Sequence, residues 1–199
     1  MKMTLTAIIM TTMLLTYTLP VSANDYGWQR LISFFSDNDE HDDDYHSNQN
    51  DEDSVTPVNN DNYRQECGSC HFAYQPGLLP ARSWQKLMGN LQNHFGDNAE
   101  LEAQAQQTLT DYLVKNAADF SPDKFSIQLV RRLSKKLTPL RTTELPYFRH
   151  EHDEIPTGMV KDNPKVKSFS NCDKCHTGAD KGDYSEENIS ISGYGGWED

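Results

Sequence analysis

The chain has 199 residues, 36 % of them hydrophobic, a formal net charge of −12 and four cysteines. Such acidity argues against nucleic acid as a partner, because a phosphate backbone is gripped by clustered Lys and Arg. After the N-terminus no apolar run is long enough to cross a bilayer, so no membrane span is expected there.

At the N-terminus, Lys2 precedes an apolar run from Leu5 to Leu19, then Pro20 and the small residues Val21-Ser22-Ala23. This reads as a secretory signal peptide cleaved after Ala23, which predicts export to the periplasm. Trp28, Leu31, Ile32, Phe34 and Phe35 follow as a short apolar cluster with partly helical spacing, expected to dock on the folded domain. From Asp37 to Asp53 come nine acidic residues among polar ones. Such a composition cannot bury enough surface to offset its ordering entropy, so Ser36 to Asn62 is expected to be a disordered linker. Residues 24–63 hold one Arg and 11 acids, whereas 64–199 hold 16 basic and 19 acidic residues, a net −3. The acidity therefore belongs mainly to the linker. The expected layout is a signal peptide at 1–23, an apolar cluster and linker at 24–63, and one folded domain at 64–199.

The domain opens on Cys67-Gly68-Ser69-Cys70-His71 and closes near a second copy, Cys172-Asp173-Lys174-Cys175-His176. Between them lies the turn-rich Pro76-Gly77-Leu78-Leu79-Pro80. Ser83 can then cap a helix in which Trp84, Leu87, Met88 and Leu91 share one face, with His94 one step further and Gly96 as its end. Asp97 to Glu100 has the spacing of a capping box for a second helix to about Asn116, with Leu101, Ala105, Leu109 and Leu113 inward. A third is expected from the cap Ser121 and Pro122 to about Lys136, burying Phe125, Leu129 and Leu133. A short helical piece is expected from Tyr147 to His152, and a loose tail from Gly178. No run alternates with period two over any length. The expected fold is mostly α, a small helical domain with extensive loops and little or no β-sheet.

Both five-residue motifs are C-x-x-C-H, and they use every cysteine of the chain. Two thiols three positions apart can add across the two vinyl groups of one porphyrin, and the adjacent histidine is then held beneath the iron. A thioredoxin-like redox pair would not explain the histidine in both copies. A four-cysteine zinc site would leave both histidines without a role, and disulfides would do the same. The motifs thus imply two covalent c-type haems, attached through Cys67, Cys70, Cys172 and Cys175, with His71 and His176 as proximal iron ligands. Two porphyrins would also supply apolar surface to a domain whose own core is thin.

The sixth ligands are narrowed by counting. Signal cleavage leaves only Met88 and Met159, and no methionine follows the second motif. Met88 fits the apolar stripe of its helix and reads as core. Outside the motifs and the acidic tract, the histidines are His94, His150 and His152. His94 is expected on the first haem and one of the other two on the second. Spacing alone does not choose between His150 and His152.

From Glu66 to about Ile191 the chain resembles the dihaem cytochrome c family of Gram-negative periplasms. The resemblance rests on Glu66 to His71, Pro76 to Trp84, His94-Phe95-Gly96, His152 to Pro156, Asn171 to His176, and Gly182-Asp183-Tyr184. It implies two low-spin haems with bis-histidine ligation, and it places His94 and His152 on the distal positions. Residues 141–146 only approximate the family pattern, and the acidic tract lies outside it. Bis-histidine irons have no open site and comparatively low potentials. The resemblance therefore implies an electron carrier rather than an enzyme. A membrane b-type cytochrome as donor and a high-spin monohaem cytochrome c as acceptor are the partners it suggests. The competing class is a dihaem peroxidase with one open haem, whose fold is much longer than this domain.

Overall fold

The computed structural model describes residues 52–197. The signal peptide, the apolar cluster and most of the acidic tract lie outside the described residues. Among those described there are six helices and no strand: α1 Asp61–Gly68, α2 Ala81–Met88, α3 Ala103–Lys115, α4 Lys124–Arg131, α5 Pro146–Glu151 and α6 Thr157–Val160. Short 3-10 turns at Pro76–Leu78, Leu91–Asn93, Cys172–Lys174 and Ala179–Lys181 shape the connections between them. No described helix is long and apolar enough to cross a membrane. The fold is mostly helical, as the periodicity predicts.

The helices differ from their expected limits for local reasons. Ser83 does not cap α2, which begins directly after Pro80 with the Ala81 amide held by the Asp119 carboxylate at 2.6 Å. Ser83 is instead buried. Gly89-Asn90, both weak helix formers, ends α2, so His94 sits on a separate turn and not on a helical face. The capping box at Asp97 to Glu100 does not form either. Asn98 Oδ1 accepts the Glu100 amide at 2.9 Å, a local turn that competes with helix, and α3 starts at Ala103. Ser121 lies three residues before α4 and does not cap it: the N-cap is Asp123, whose amide donates to Ser121 Oγ at 3.2 Å. Helices α1 and α6 had no strong periodic signal, being eight and four residues long.

Helices α2 and α3 pack together over the main core, where Trp84, Met88, Leu91, Leu109, Leu113, Leu129 and Leu145 are all buried. A second, smaller cluster consists of Val160, Val166 and Ile191, with Ile155, Met159, Phe169 and Trp197 partly buried around it. The segment before α1, expected as the end of a linker, belongs to the packed body. Val55 and Val58 are 3 % and 4 % exposed. The Val55 amide donates to Gly182 O at 2.8 Å, the Tyr184 amide donates to Asp53 O at 3.0 Å, and the Thr56 amide donates to Asp123 Oδ2 at 2.7 Å. The folded part thus begins about ten residues before Arg64. Composition could not show this, because the pairing partner lies far along the chain.

Gly182 makes that attachment possible. Its φ of +80° is left-handed, and a Cβ there would lie 1.9 Å from Val55 O. Gly182→Ala is expected to cost at least about 2 kcal/mol, from backbone strain plus the lost clip. Urea unfolding of the haem-loaded protein checks this, and an unchanged midpoint would show that the clip adds no stability.

Candidate haem sites

The first motif begins inside the last turn of α1, which Asn60 caps by accepting the Tyr63 amide at 2.9 Å. Cys67 is half-buried on the helix, while Cys70 and His71 emerge beyond it to the surface. The second motif starts on the turn Cys172–Lys174, and the His176 amide donates to Cys172 O at 2.8 Å. Here both cysteines and the histidine are half-buried. No disulfide joins any two of the four cysteines.

Each motif histidine faces one other histidine. The rings of His71 and His94 have centroids 6.0 Å apart with planes 17° from parallel. Those of His176 and His152 are 6.2 Å apart at 59°. Imidazole nitrogens bind first-row metals at about 2 Å, and each ring centre lies roughly 1 Å behind its nitrogen. Two rings on opposite sides of one metal therefore have centroids about 6 Å apart, the spacing seen in both pairs. His150 is exposed, and Met88 is buried in the core beside Trp84 and Leu91.

Hydrogen bonds prepare two of the four rings. His71 Nδ1 lies 2.7 Å from Phe72 O and His152 Nδ1 lies 2.9 Å from Phe148 O, so the proton on Nδ1 points to a carbonyl and Nε2 is left to a metal. The Nδ1 atoms of His94 and His176 are buried with no hydrogen-bond partner. Burial, helped by the neighbouring His152, pushes the His176 imidazole down to about 4. It is therefore neutral at neutral pH, the form that ligates metal.

The thiols move the other way. Burial pushes Cys67 up to about 11 and Cys172 up to about 12, and it raises Cys175 as well. A dithiol redox pair needs a lowered thiol pKa, so this environment does not suit thioredoxin-like exchange. The second pair also looks into a cavity with largely apolar walls. Cys172, Cys175, His152 and His176 line it together with Leu78, Phe125, Phe148, Ile155, Phe169 and Trp197. Flat apolar walls, two thiols at one end and two opposed imidazoles suit a porphyrin.

A buried polar link joins the two motifs. Gln75 is fully buried, and its Nε2 donates to Ala179 O at 2.6 Å while Tyr184 Oη donates to its Oε1 at 2.6 Å. Tyr74 Oη donates to Ser170 O, and Tyr63 Oη donates to Tyr74 O at 2.9 Å. Tyr74 lies 5.6 Å from the His71 ring and Tyr184 lies 5.4 Å from the His176 ring. Reading along the sequence did not single out Gln75 or Tyr74. A polar residue next to Pro76 carries no signal of its own, and its partners are more than a hundred positions away.

The sequence profile of the family described as dihaem cytochrome c matches residues 63–184. Among solved structures, the chain is similar to a dihaem c-type cytochrome of Shewanella baltica. The two are 44 % identical over 69 % of this chain and 96 % of that one, with a TM-score of 0.58. It is also similar to the dihaem cytochrome c of Rhodobacter sphaeroides, 44 % identical over 65 % of this chain and all of that one, with a TM-score of 0.59. No curated protein matches it. A profile match spanning both motifs and these similarities show that the chain belongs to the dihaem cytochrome c family, haem-based electron carriers with two c-type haems.

Proposed function

We propose that the protein is an exported, periplasmic one-electron carrier whose two haems are both closed by histidine on each side. In this reading Cys67 and Cys70 hold the first haem, with His71 proximal and His94 distal. Cys172 and Cys175 hold the second, with His176 proximal and His152 distal. The observation that carries it is the pair of ring separations, 6.0 and 6.2 Å, each set for one shared metal. Haem supplies reversible one-electron chemistry when bound. The chain's part is to fix its orientation and to supply neutral imidazoles.

With His71 and His94 holding one haem and His176 and His152 the other, no site would be left for peroxide to bind directly, which favours a carrier over a dihaem peroxidase. The family resemblance supports low potentials and redox partners that are themselves cytochromes: a membrane or soluble donor such as a b-type cytochrome, and a high-spin monohaem cytochrome c as acceptor. The signal-peptide pattern supports the compartment, since covalent haem attachment belongs to exported chains.

Paramagnetic resonance of the oxidised protein tests the ligand set. Near-parallel imidazole planes, as in His71 and His94 at 17°, split the two iron orbitals that π-bond to the rings and give a rhombic low-spin signal. Planes at 59°, as in His152 and His176, leave those orbitals closer in energy and give a more axial signal at larger g. Two different low-spin signals of equal weight are expected, with no thioether-to-iron band in the near infrared. A high-spin component at neutral pH, or that band, would refute the assignment.

A further inference from the structure

We propose that His94 is a displaceable ligand, and that the first haem is thereby a gated site for a small neutral π-acceptor diatomic. The inference rests on the bis-histidine reading above and concerns how firmly each distal histidine is held.

His152 is held on several sides. It ends α5, its Nδ1 is bonded to Phe148 O at 2.9 Å, and its ring stacks on Phe148 at 3.9 Å with Phe169 edge-on at 6.1 Å. His94 has little of this. It stands on an irregular turn outside any α-helix, closed by backbone bonds alone: His94 amide to Asp97 O at 2.8 Å, Asp97 amide to His94 O at 3.2 Å, Phe95 amide to Asn93 O at 3.1 Å and Ala99 amide to Leu91 O at 2.9 Å. The turn passes through Phe95 at φ +57° and Gly96 at φ +106°, and a bulky residue in the left-handed region is strained. Residues 92, 93 and 95–98 are exposed. His94 Nδ1, by contrast, is buried with no partner, so no hydrogen bond orients the ring or raises its basicity. What restrains the turn is the Phe95 ring, 4.8 Å from His94, and the Arg141 guanidinium 3.7 Å over Phe95.

The proximal histidines differ in kind. His176 also has an unpartnered Nδ1, but a thioether at the adjacent Cys175 would keep it in place, as Cys70 would keep His71. Of the four imidazoles, His94 is thus the one free to swing away, and the turn that carries it lies at the surface, with residues 95–98 exposed. In the exchange, the dative bond from the His94 nitrogen to iron breaks and one from the incoming diatomic forms. No electron is gained or lost, and the imidazole leaves neutral.

Stopped-flow mixing of the reduced holoprotein with carbon monoxide tests the proposal. One molecule should bind per chain, at a rate that levels off with carbon monoxide concentration, because departure of His94 sets the limit. Arg141→Ala, which frees Phe95, should raise that limit about 2- to 5-fold. His94→Ala should make the rate linear in concentration, and the wild-type kinetics alone carry the test if that variant does not fold. Uptake at the second haem first, equal uptake at both, or none over an hour would overturn the proposal while leaving the low-spin ligand set intact. A high-spin iron before any gas is added would instead refute the ligand reading beneath it.

Discussion

Replacing His152 by methionine is expected to raise the reduction potential of the second haem by on the order of 100 mV and to leave the first haem within a few tens of millivolts of its starting value. Imidazole is the stronger σ-donor and favours ferric iron, whereas a thioether favours ferrous iron. In the native chain the preference for imidazole is reinforced, since the Nδ1 bond to Phe148 O gives the ring partial imidazolate character. A methionine loses that bond as well as the donor strength. Its flexible side chain can lie along Phe148 and Phe169, which flank His152 now, so the wall of the cavity need not be rebuilt. The two haems should separate in this experiment because each proposed distal ligand faces its own motif, His94 with His71 and His152 with His176. Potentiometric titration followed optically checks it, with a thioether-to-iron band marking the altered haem. An unchanged potential, or an equal rise at both haems, would mean that His152 does not ligate the second iron.

How the two proposed distal histidines, His94 and His152, could be reached from sequence differs. The proximal pair follows from adjacency alone, because no fold is needed to place a residue next to its own thioether. His94 was expected from a helical stripe that does not exist. Gly89-Asn90 ends α2 before it, and a turn brings His94 to the same place by another route. Its identification therefore owed more to the shortage of alternatives and to the family resemblance than to periodicity. Between His150 and His152 local spacing had no means of choosing. Only the fold shows that α5 leaves His150 in solvent and sets His152 against His176.

The least legible features are those made by contacts distant in sequence. Val55 looks like part of an acidic tail until Gly182 is brought beside it. Gln75 looks like an exposed turn residue until Tyr184 and Ala179 close over it. In each case a polar or short apolar stretch acquires its role from a partner that local pattern cannot name. Helix type and inward faces, which depend on neighbours three and four positions away, were correspondingly easier to read. Leu109, Leu113, Leu129 and Leu133 are all buried as their spacing predicts.

The chain in which Cys172 and Cys175 are both serine is expected to keep one haem and to lose order from about residue 153 to its end, while α1 to α4 stay folded. The main core explains the second half of that statement: fourteen buried residues form it, and it is built from side chains alone. The C-terminal cluster has three, Val160, Val166 and Ile191, of which Val160 and Ile191 line the same cavity as His152 and His176. Among the described residues, one α-helix, the four-residue α6, lies beyond α5. A porphyrin burying several hundred Å2 there, at about 25 cal/mol per Å2, contributes on the order of 10 kcal/mol. That exceeds what three aliphatic side chains supply, at about 2 kcal/mol each. The second haem is then the core of its own lobe. Covalent attachment matters because it keeps that core in place through redox cycles and ligand exchange. The bonds to the rest of the body, Gln75 with Tyr184 and Ala179, Tyr74 with Ser170, Val55 with Gly182 and Asp53 with Tyr184, hold the edges of the segment but not its interior. Mass spectrometry gives the haem count, and hydrogen exchange locates the loss. Protection should fall throughout 153–197 and persist in α2 and α3. The reciprocal variant, serine at Cys67 and Cys70, should leave that protection nearly unchanged, because the first haem sits on the surface of a core that is already complete. Equal loss in both variants would show that the two haems support one shared interior.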